Sequence, residues 1–168
     1  MINLLAMSKD LGDEYFAMVA PCMISREHPL YSVNDVFNAC LVRGDATGDV
    51  LMYGKGAGKL PTASAVVADI VDCCKHLKTR KYLYWTDGNG ENIIDTKDSV
   101  SAMYVRIKGA DVASKVNEVF GEVTVLCREN APVDEFAFVT SEMPYGEFED
   151  KLGTIDAEVL GTIRIGDL

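Results

Sequence analysis

Val100-Ser101-Ala102-Met103-Tyr104-Val105-Arg106-Ile107 reads as a strand, and the segments after it decide the fold. Asp111–Phe120 places Val112, Val116, Val119 and Phe120 on one helical face. Val123–Cys127 alternates as a strand does, and Phe136–Thr140 is another strand. Tyr145–Leu152 predicts a short helix bearing Phe148 and Leu152, and Val159–Ile165 a last strand. The order βαββαβ within about 70 residues predicts a ferredoxin-like sandwich, one antiparallel sheet with two helices on one face.

Upstream the rhythm changes. Lys78-Thr79-Arg80-Lys81 is basic and Thr86-Asp87-Gly88-Asn89-Gly90-Glu91-Asn92 is rich in turn residues, so residues 78–98 read as a linker. Trp85, the only tryptophan, is expected to pin that linker to a neighbour. Before it, Val66, Ile70, Cys74 and Leu77 recur at helical spacing from a start near Pro61-Thr62, where Thr62 can cap. The first turns are small (Ala63, Ser64, Ala65, Ala68), so this helix wants neighbours on more than one side. Val36–Val42 and Val50–Tyr53 flank Gly44–Asp49 and predict an antiparallel hairpin. Tyr15–Ala20 suits a buried strand ending at Pro21, and Ser25–Pro29 is a polar loop. The expectation is an α+β chain: an incomplete mixed α/β lobe over 1–77, the linker, and a βαββαβ domain over 99–168.

Composition narrows the function. Apolar residues make up 48% and charged residues 25% of the 168, the balance of a globular protein. No apolar run is long enough to span a bilayer. Met1–Met7 is briefly apolar but lacks a basic flank and is followed by Lys9-Asp10, which argues against a signal peptide. A net charge of −10 without a basic stripe would be repelled by a phosphate backbone, so nucleic acid is not the expected partner. Five cysteines fit no disulfide framework and read as thiols of a reducing cytoplasm.

Gly54-Lys55-Gly56-Ala57-Gly58-Lys59 is the segment with the most chemical promise. Backbone N–H groups freed of side-chain bulk and followed by a helix N-terminus suit an anion or a cofactor. A P-loop would need Ser or Thr after Gly58-Lys59, where Leu60 stands. A dinucleotide fingerprint would need a glycine at Lys59. Spacing alone leaves ligand contact and a plain strand-to-helix turn both open. Cys73, Cys74 and His76 lack the second Cys/His cluster that a structural zinc needs, so no metal is expected. His76 instead suits the negative end of its helix. Cys22 with His28 lacks an orienting group or oxyanion hole, and Asp69 and Asp72 read as solvent-facing helix positions.

Order and spacing together are more specific than these parts. Val19-Ala20-Pro21, His28-Pro29-Leu30-Tyr31-Ser32-Val33, Val36-Phe37-Asn38-Ala39, Gly44-Asp45-Ala46-Thr47-Gly48 and the run Tyr53–Asp69 closely resemble homoserine dehydrogenase. The resemblance implies that residues 1–77 are the C-terminal part of the catalytic and dimerisation lobe. It implies that Gly56, Ala57 and Gly58 lie beside an NAD(P) cofactor, and that the helix from Thr62 packs on a nucleotide-binding domain. Residues from about Ser101 resemble an ACT domain, an amino-acid-sensing module, through the βαββαβ order and Ser114-Lys115-Val116. Lys108, Gly109, Ala110 and Asp111 occupy the positions of that module's effector turn, without its usual proline–glycine pair.

The family's glycine fingerprint, catalytic lysine and acidic substrate residues match nothing in this sequence. The expectation is therefore the C-terminal region of an enzyme interconverting aspartate semialdehyde and homoserine, on the route to threonine, methionine and isoleucine. The chain alone is expected to be regulatory or oligomerising, to lack dehydrogenase activity, to bind no cofactor by itself and to self-associate. The expected effector is an amino acid such as threonine. The alternative class is a free-standing ACT-type amino-acid sensor.

Overall fold

The computed structural model describes residues 1–79, 84–85 and 87–166. Arg80, Lys81 and Thr86 of the expected linker lie outside the described residues. Along the chain run β1 (Ile2–Asp10), β2 (Tyr15–Met23), β3 (Phe37–Gly44), β4 (Gly48–Lys55) and α1 (Lys59–Lys75). A 3-10 turn at Thr96–Asp98 leads into β5 (Val100–Ser101), β6 (Met103–Lys108), α2 (Val112–Phe120), β7 (Thr124–Leu126) and β8 (Glu135–Val139). Then come β9 (Met143–Pro144), α3 (Tyr145–Gly153) and β10 (Glu158–Ile165). The result is a mixed α+β chain with a mostly antiparallel sheet in the order β1-β2-β10-β6-β8-β7.

By contact the chain forms two compact units, Met1–Ser25 with the described residues from Gly88 onward, and Arg26–Asp87. In the first unit, β6, β7, β8 and β10 with α2 and α3 follow the expected βαββαβ order. Met103, Val105 and Ile107 alternate onto one face of β6 and are buried. Val112, Val116 and Phe120 of α2, spaced at helical repeat, meet them there, as do Phe138 of β8 and Phe148 of α3. Phe120, Phe138 and Phe148 form a tilted aromatic cluster, with centroids 5.6 Å apart for Phe120–Phe138 and 6.1 Å for Phe120–Phe148. Each such side chain, fully buried, contributes on the order of 1.5–3 kcal/mol. Gly121, at φ 74°, ends α2 in a backbone conformation that other residues rarely hold.

Two departures from the expected strands have local causes. The Val100–Ile107 run breaks at Ala102: Val100 and Ser101 pair with Pro144 and Met143, and the carbonyl of Ala102 accepts from the N–H of Ile165 at 2.9 Å. The apolar N-terminus, for which no strand was expected, is β1, paired in register with β2 from Ile2↔Met23 to Asp10↔Tyr15. Gly12, at φ 99°, makes the turn between them, and its N–H donates to Asp10 Oδ1 at 2.9 Å.

β2 does not end at Pro21 as expected but runs on to Met23. Tyr15 exchanges hydrogen bonds with Asn92 and Ile94, and Met23 accepts from Gly166, so alternate residues of β2 turn their backbone groups away from β1. Pro21 shares that parity, and its missing N–H costs the β1–β2 ladder nothing. At Cys22 and Met23, β2 pairs in parallel with Arg164 and Ile165 of β10. The downstream sheet thus takes in strands that the sequence reading assigned to the upstream lobe.

The second unit holds the expected hairpin, β3 against β4, running from Phe37↔Lys55 to Gly44↔Gly48. Phe37 and Tyr53 stack at 4.9 Å, and Arg43 clasps Asp49 through Nε at 2.6 Å and Nη2 at 2.9 Å. That pair holds the Asp49 carboxyl below its ordinary value, chiefly through the hydrogen bond from Arg43. Helix α1 starts earlier than expected. Its cap is Gly58 at φ 118°, and Thr62 sits inside the first turn, its N–H donating to the Gly58 carbonyl at 3.1 Å. Pro61 falls in that first turn, where no N–H is needed. No residue of α1 is buried, and Trp85, expected to contact a neighbour, is fully exposed.

Candidate functional site

The glycine loop follows directly from the register of the hairpin. β4 ends at Lys55, and the N–H of Gly56 donates to the Val36 carbonyl at 3.1 Å, folding the loop back over the start of β3. A Cβ on Gly56 would lie 1.7 Å from Asn38 Nδ2 and 2.6 Å from its Cγ, so any other residue there would force the exposed Asn38 amide to swing away. Gly58 must be a glycine for its φ. Beyond it, Lys59 and Leu60 precede the first closed helical bond, and no side chain caps the helix. No acidic residue occupies the first turn. Lys55, with Nζ 5.8 Å from the Phe37 ring centroid, and Lys59 add positive charge beside these open N–H groups. Gly56, Ala57 and Gly58 therefore stand at an exposed, electropositive backbone corner able to receive an anionic group.

Lys108, Gly109, Ala110 and Asp111 make a different kind of loop. Lys108 Nζ pairs with Asp134 at 3.2 Å, which raises its pKa above the ordinary lysine value, first through that hydrogen bond. The N–H of Gly109 donates to the Asp134 carbonyl at 3.0 Å. A Cβ at Gly109 would stand 3.1 Å from Val112 Cγ1 and 3.5 Å from Ala157 Cβ. Asp111, at φ 54°, accepts from Ser114 Oγ at 3.1 Å. Lys108 Nζ, the Gly109 N–H and one carboxylate oxygen of Asp111 thus have partners within the protein.

The remaining candidates carry no catalytic geometry. Cys22 is buried, and burial raises its thiol pKa, the reverse of what a nucleophile needs. His28 belongs to the other compact unit, where its Nδ1 accepts from the Leu30 N–H at 3.1 Å. His76 lies 2.9 Å from Asp72 Oδ1 at the C-terminus of α1. Asp69 is exposed on the same helix. Among the described residues no cluster of His, Cys, Asp or Glu could hold a metal ion, and no helix is long and apolar enough to cross a membrane.

One polar side chain passed unnoticed in the sequence. Arg164, the lone charge inside the apolar strand Val159–Ile165, is buried, with 7% of its surface exposed. Its Nη1 donates to Ser99 Oγ at 3.0 Å and Ser101 Oγ at 2.9 Å, and its guanidinium lies 5.0 Å from the Tyr145 ring centroid. Burial lowers its pKa from the ordinary value. An arginine flanked by isoleucines in a strand was the available signal.

Among the described residues of this α+β protein, no acid, base or nucleophile is arranged around the anion-receiving corner. Residues 1–71 match the model of the homoserine dehydrogenase family. The chain is 27% identical over 182 residues to homoserine dehydrogenase of Bacillus subtilis, covering 97% of this chain and 41% of the relative. Against the enzyme of Synechocystis the identity is 47% over 76 residues, 43% of this chain and 18% of the relative. A crystal structure of a homoserine dehydrogenase from Thiobacillus denitrificans superposes with a TM-score of 0.78 at 25% identity, covering 99% of this chain and 42% of that one. Residues 1–71 thus carry the homoserine dehydrogenase family match, and the chain spans about two fifths of the length of the Bacillus subtilis and Thiobacillus denitrificans proteins to which it is similar.

Proposed function

We propose that this chain is the C-terminal region of a cytoplasmic NAD(P)-dependent homoserine dehydrogenase interconverting aspartate semialdehyde and homoserine, and that alone it is not catalytic. The observation that carries this reading is the family match over residues 1–71, which includes the loop Gly56–Gly58 and most of α1. In that reading the open N–H groups at Lys59 and Leu60, with Lys55 beside them, face an anionic part of the cofactor. The cofactor, when bound, supplies the hydride chemistry. The residues of this chain bind and orient it, and α1 offers its apolar side to the nucleotide-binding domain.

The test is a chimera. The upstream three fifths of the Bacillus subtilis enzyme, joined to this chain in place of its own C-terminal region, should oxidise NAD(P)H in the presence of aspartate semialdehyde. The isolated chain should not. A folded but inactive chimera, or turnover by the chain alone at an enzyme-like rate, would each count against the proposal.

Residues 99–168 read as an ACT-like module that serves assembly rather than sensing. Lys108 and Asp111 are engaged by Asp134 and Ser114, and no proline–glycine turn opens the site to an amino acid. A free-standing sensor would need that turn. Threonine and its relatives are expected to leave the melting temperature unchanged. An effector at about a hundred times its dissociation constant would add about 2.7 kcal/mol, a shift of several degrees that is easily seen. A selective shift with threonine would restore the sensor reading.

A further inference from the structure

We propose that Arg164 and the cleft between β2 and β10 form a binding site for a small carboxylate with a short apolar tail. A buried cation normally faces an acid, because desolvating an uncompensated charge is costly. Arg164 has none among the described residues. Its Nη1 is taken by Ser99 and Ser101, whose own hydroxyl hydrogens turn to the Thr96 carbonyl and to Met103 Sδ. Both hydrogen bonds to described residues leave from Nη1, and since no buried side-chain nitrogen among them lacks a partner, Nε and Nη2 reach solvent as the fork that matches a carboxylate side-on.

The fork opens onto a space of suitable form. β2 and β10 pair only at Cys22–Met23 and then diverge, leaving a cleft of about 490 Å³. Met18, Ala20, Met103 and Tyr145 contribute apolar wall, and Thr96 and Thr162 contribute hydroxyls near Arg164. Ala17 and Val19 share the strand parity of Tyr15 and Met23. Their backbone groups therefore face the cleft, where no strand pairs with them.

These features select among anions. Among the described residues no acidic side chain lines the cleft, so none of them would pair there with the ammonium of an amino acid. The flanking walls are mostly apolar, and they fit the tail of a monocarboxylate better than a fully hydrated phosphate. The site lies within one compact unit and does not depend on the family reading.

The experiment is a calorimetric titration of the 168-residue chain with butyrate, repeated with inorganic phosphate, 1-butanol and n-propylamine. Saturable binding of butyrate alone is expected. Amide NMR shifts should fall at Ala17, Val19 and Thr162. In Arg164→Lys, which keeps the charge but loses the planar fork, affinity should fall about tenfold or more. No binding of butyrate at tens of millimolar, shifts mapping elsewhere, or unchanged affinity in a folded Arg164→Lys protein would overturn the site. Equal affinity for phosphate would overturn its assignment to carboxylates. Should Arg164→Lys not fold, the wild-type titration and its amide map decide the question on their own.

Discussion

Phe138→Ala is expected to lower the unfolding free energy of the βαββαβ unit by about 3–5 kcal/mol. Phe138 is fully buried on β8, against Phe120 at 5.6 Å and Phe136 at 5.7 Å. Removing its ring deletes the apolar transfer term and leaves a cavity. That cavity is walled by side chains from β6, α2 and α3, which cannot all move inward at once. Urea unfolding followed by circular dichroism reads the effect as a lower midpoint at unchanged slope. Val133→Ala is the control, because Val133 is wholly exposed and its loss should stay within about 0.5 kcal/mol. A Phe138→Ala cost below about 1 kcal/mol would show that the aromatic cluster is not the centre of the core.

Ile70→Glu, by contrast, should leave stability almost unchanged and change the state of association. Helix α1 buries none of its residues, yet it carries Leu60, Val66, Val67, Ile70 and Val71 at exposures between 44% and 83%. Val66, Val67, Ile70 and Val71 are neighbours along one side at helical spacing. An apolar face of this extent on a free chain is expected to cover itself against a second copy. Sedimentation at tens of micromolar should find a dimer or larger species for the unaltered chain and a monomer for Ile70→Glu. The charge desolvates poorly in an apolar contact and costs little on an exposed helix face. A monomeric unaltered chain under those conditions refutes the self-association proposal. An Ile70→Glu chain that still associates would place the contact elsewhere, at the edges of the sheet.

Much of the local structure was legible because it is written in period. Val112, Val116, Val119 and Phe120 announce a helix face, of which all but the partly buried Val119 are buried, and the strand read at Val100–Ile107 buries Met103, Val105 and Ile107. The hairpin around Gly44–Gly48 was legible from turn residues between two apolar runs. β1 was not, because Ile2, Asn3, Leu4, Leu5, Ala6 and Met7 show neither clear alternation nor a turn signal. That segment is a strand through its pairing with β2. The cap of α1 was misplaced because Thr62 is a good capping residue by type, whereas Gly58 wins by backbone conformation. Of the candidate sites, the glycine loop was visible from composition. The closure of Lys108–Asp111 by Asp134 was not, because Asp134 lies in a loop before β8, far from that turn in sequence.

By itself, the sequence determined the elements of the downstream unit and their order, since side-chain periodicity and turn chemistry act between near neighbours. It also carried the family resemblance and marked the glycine-rich loop at 54–59 as the segment of most chemical promise. Only the tertiary structure decided that β2 joins the downstream sheet at β10, that Lys108 is paired by Asp134, and that Arg164 is buried without an acid among the described residues. Each of those depends on groups distant along the chain. Such pairings are set by how strands register and helices pack, and no local pattern of residues records them.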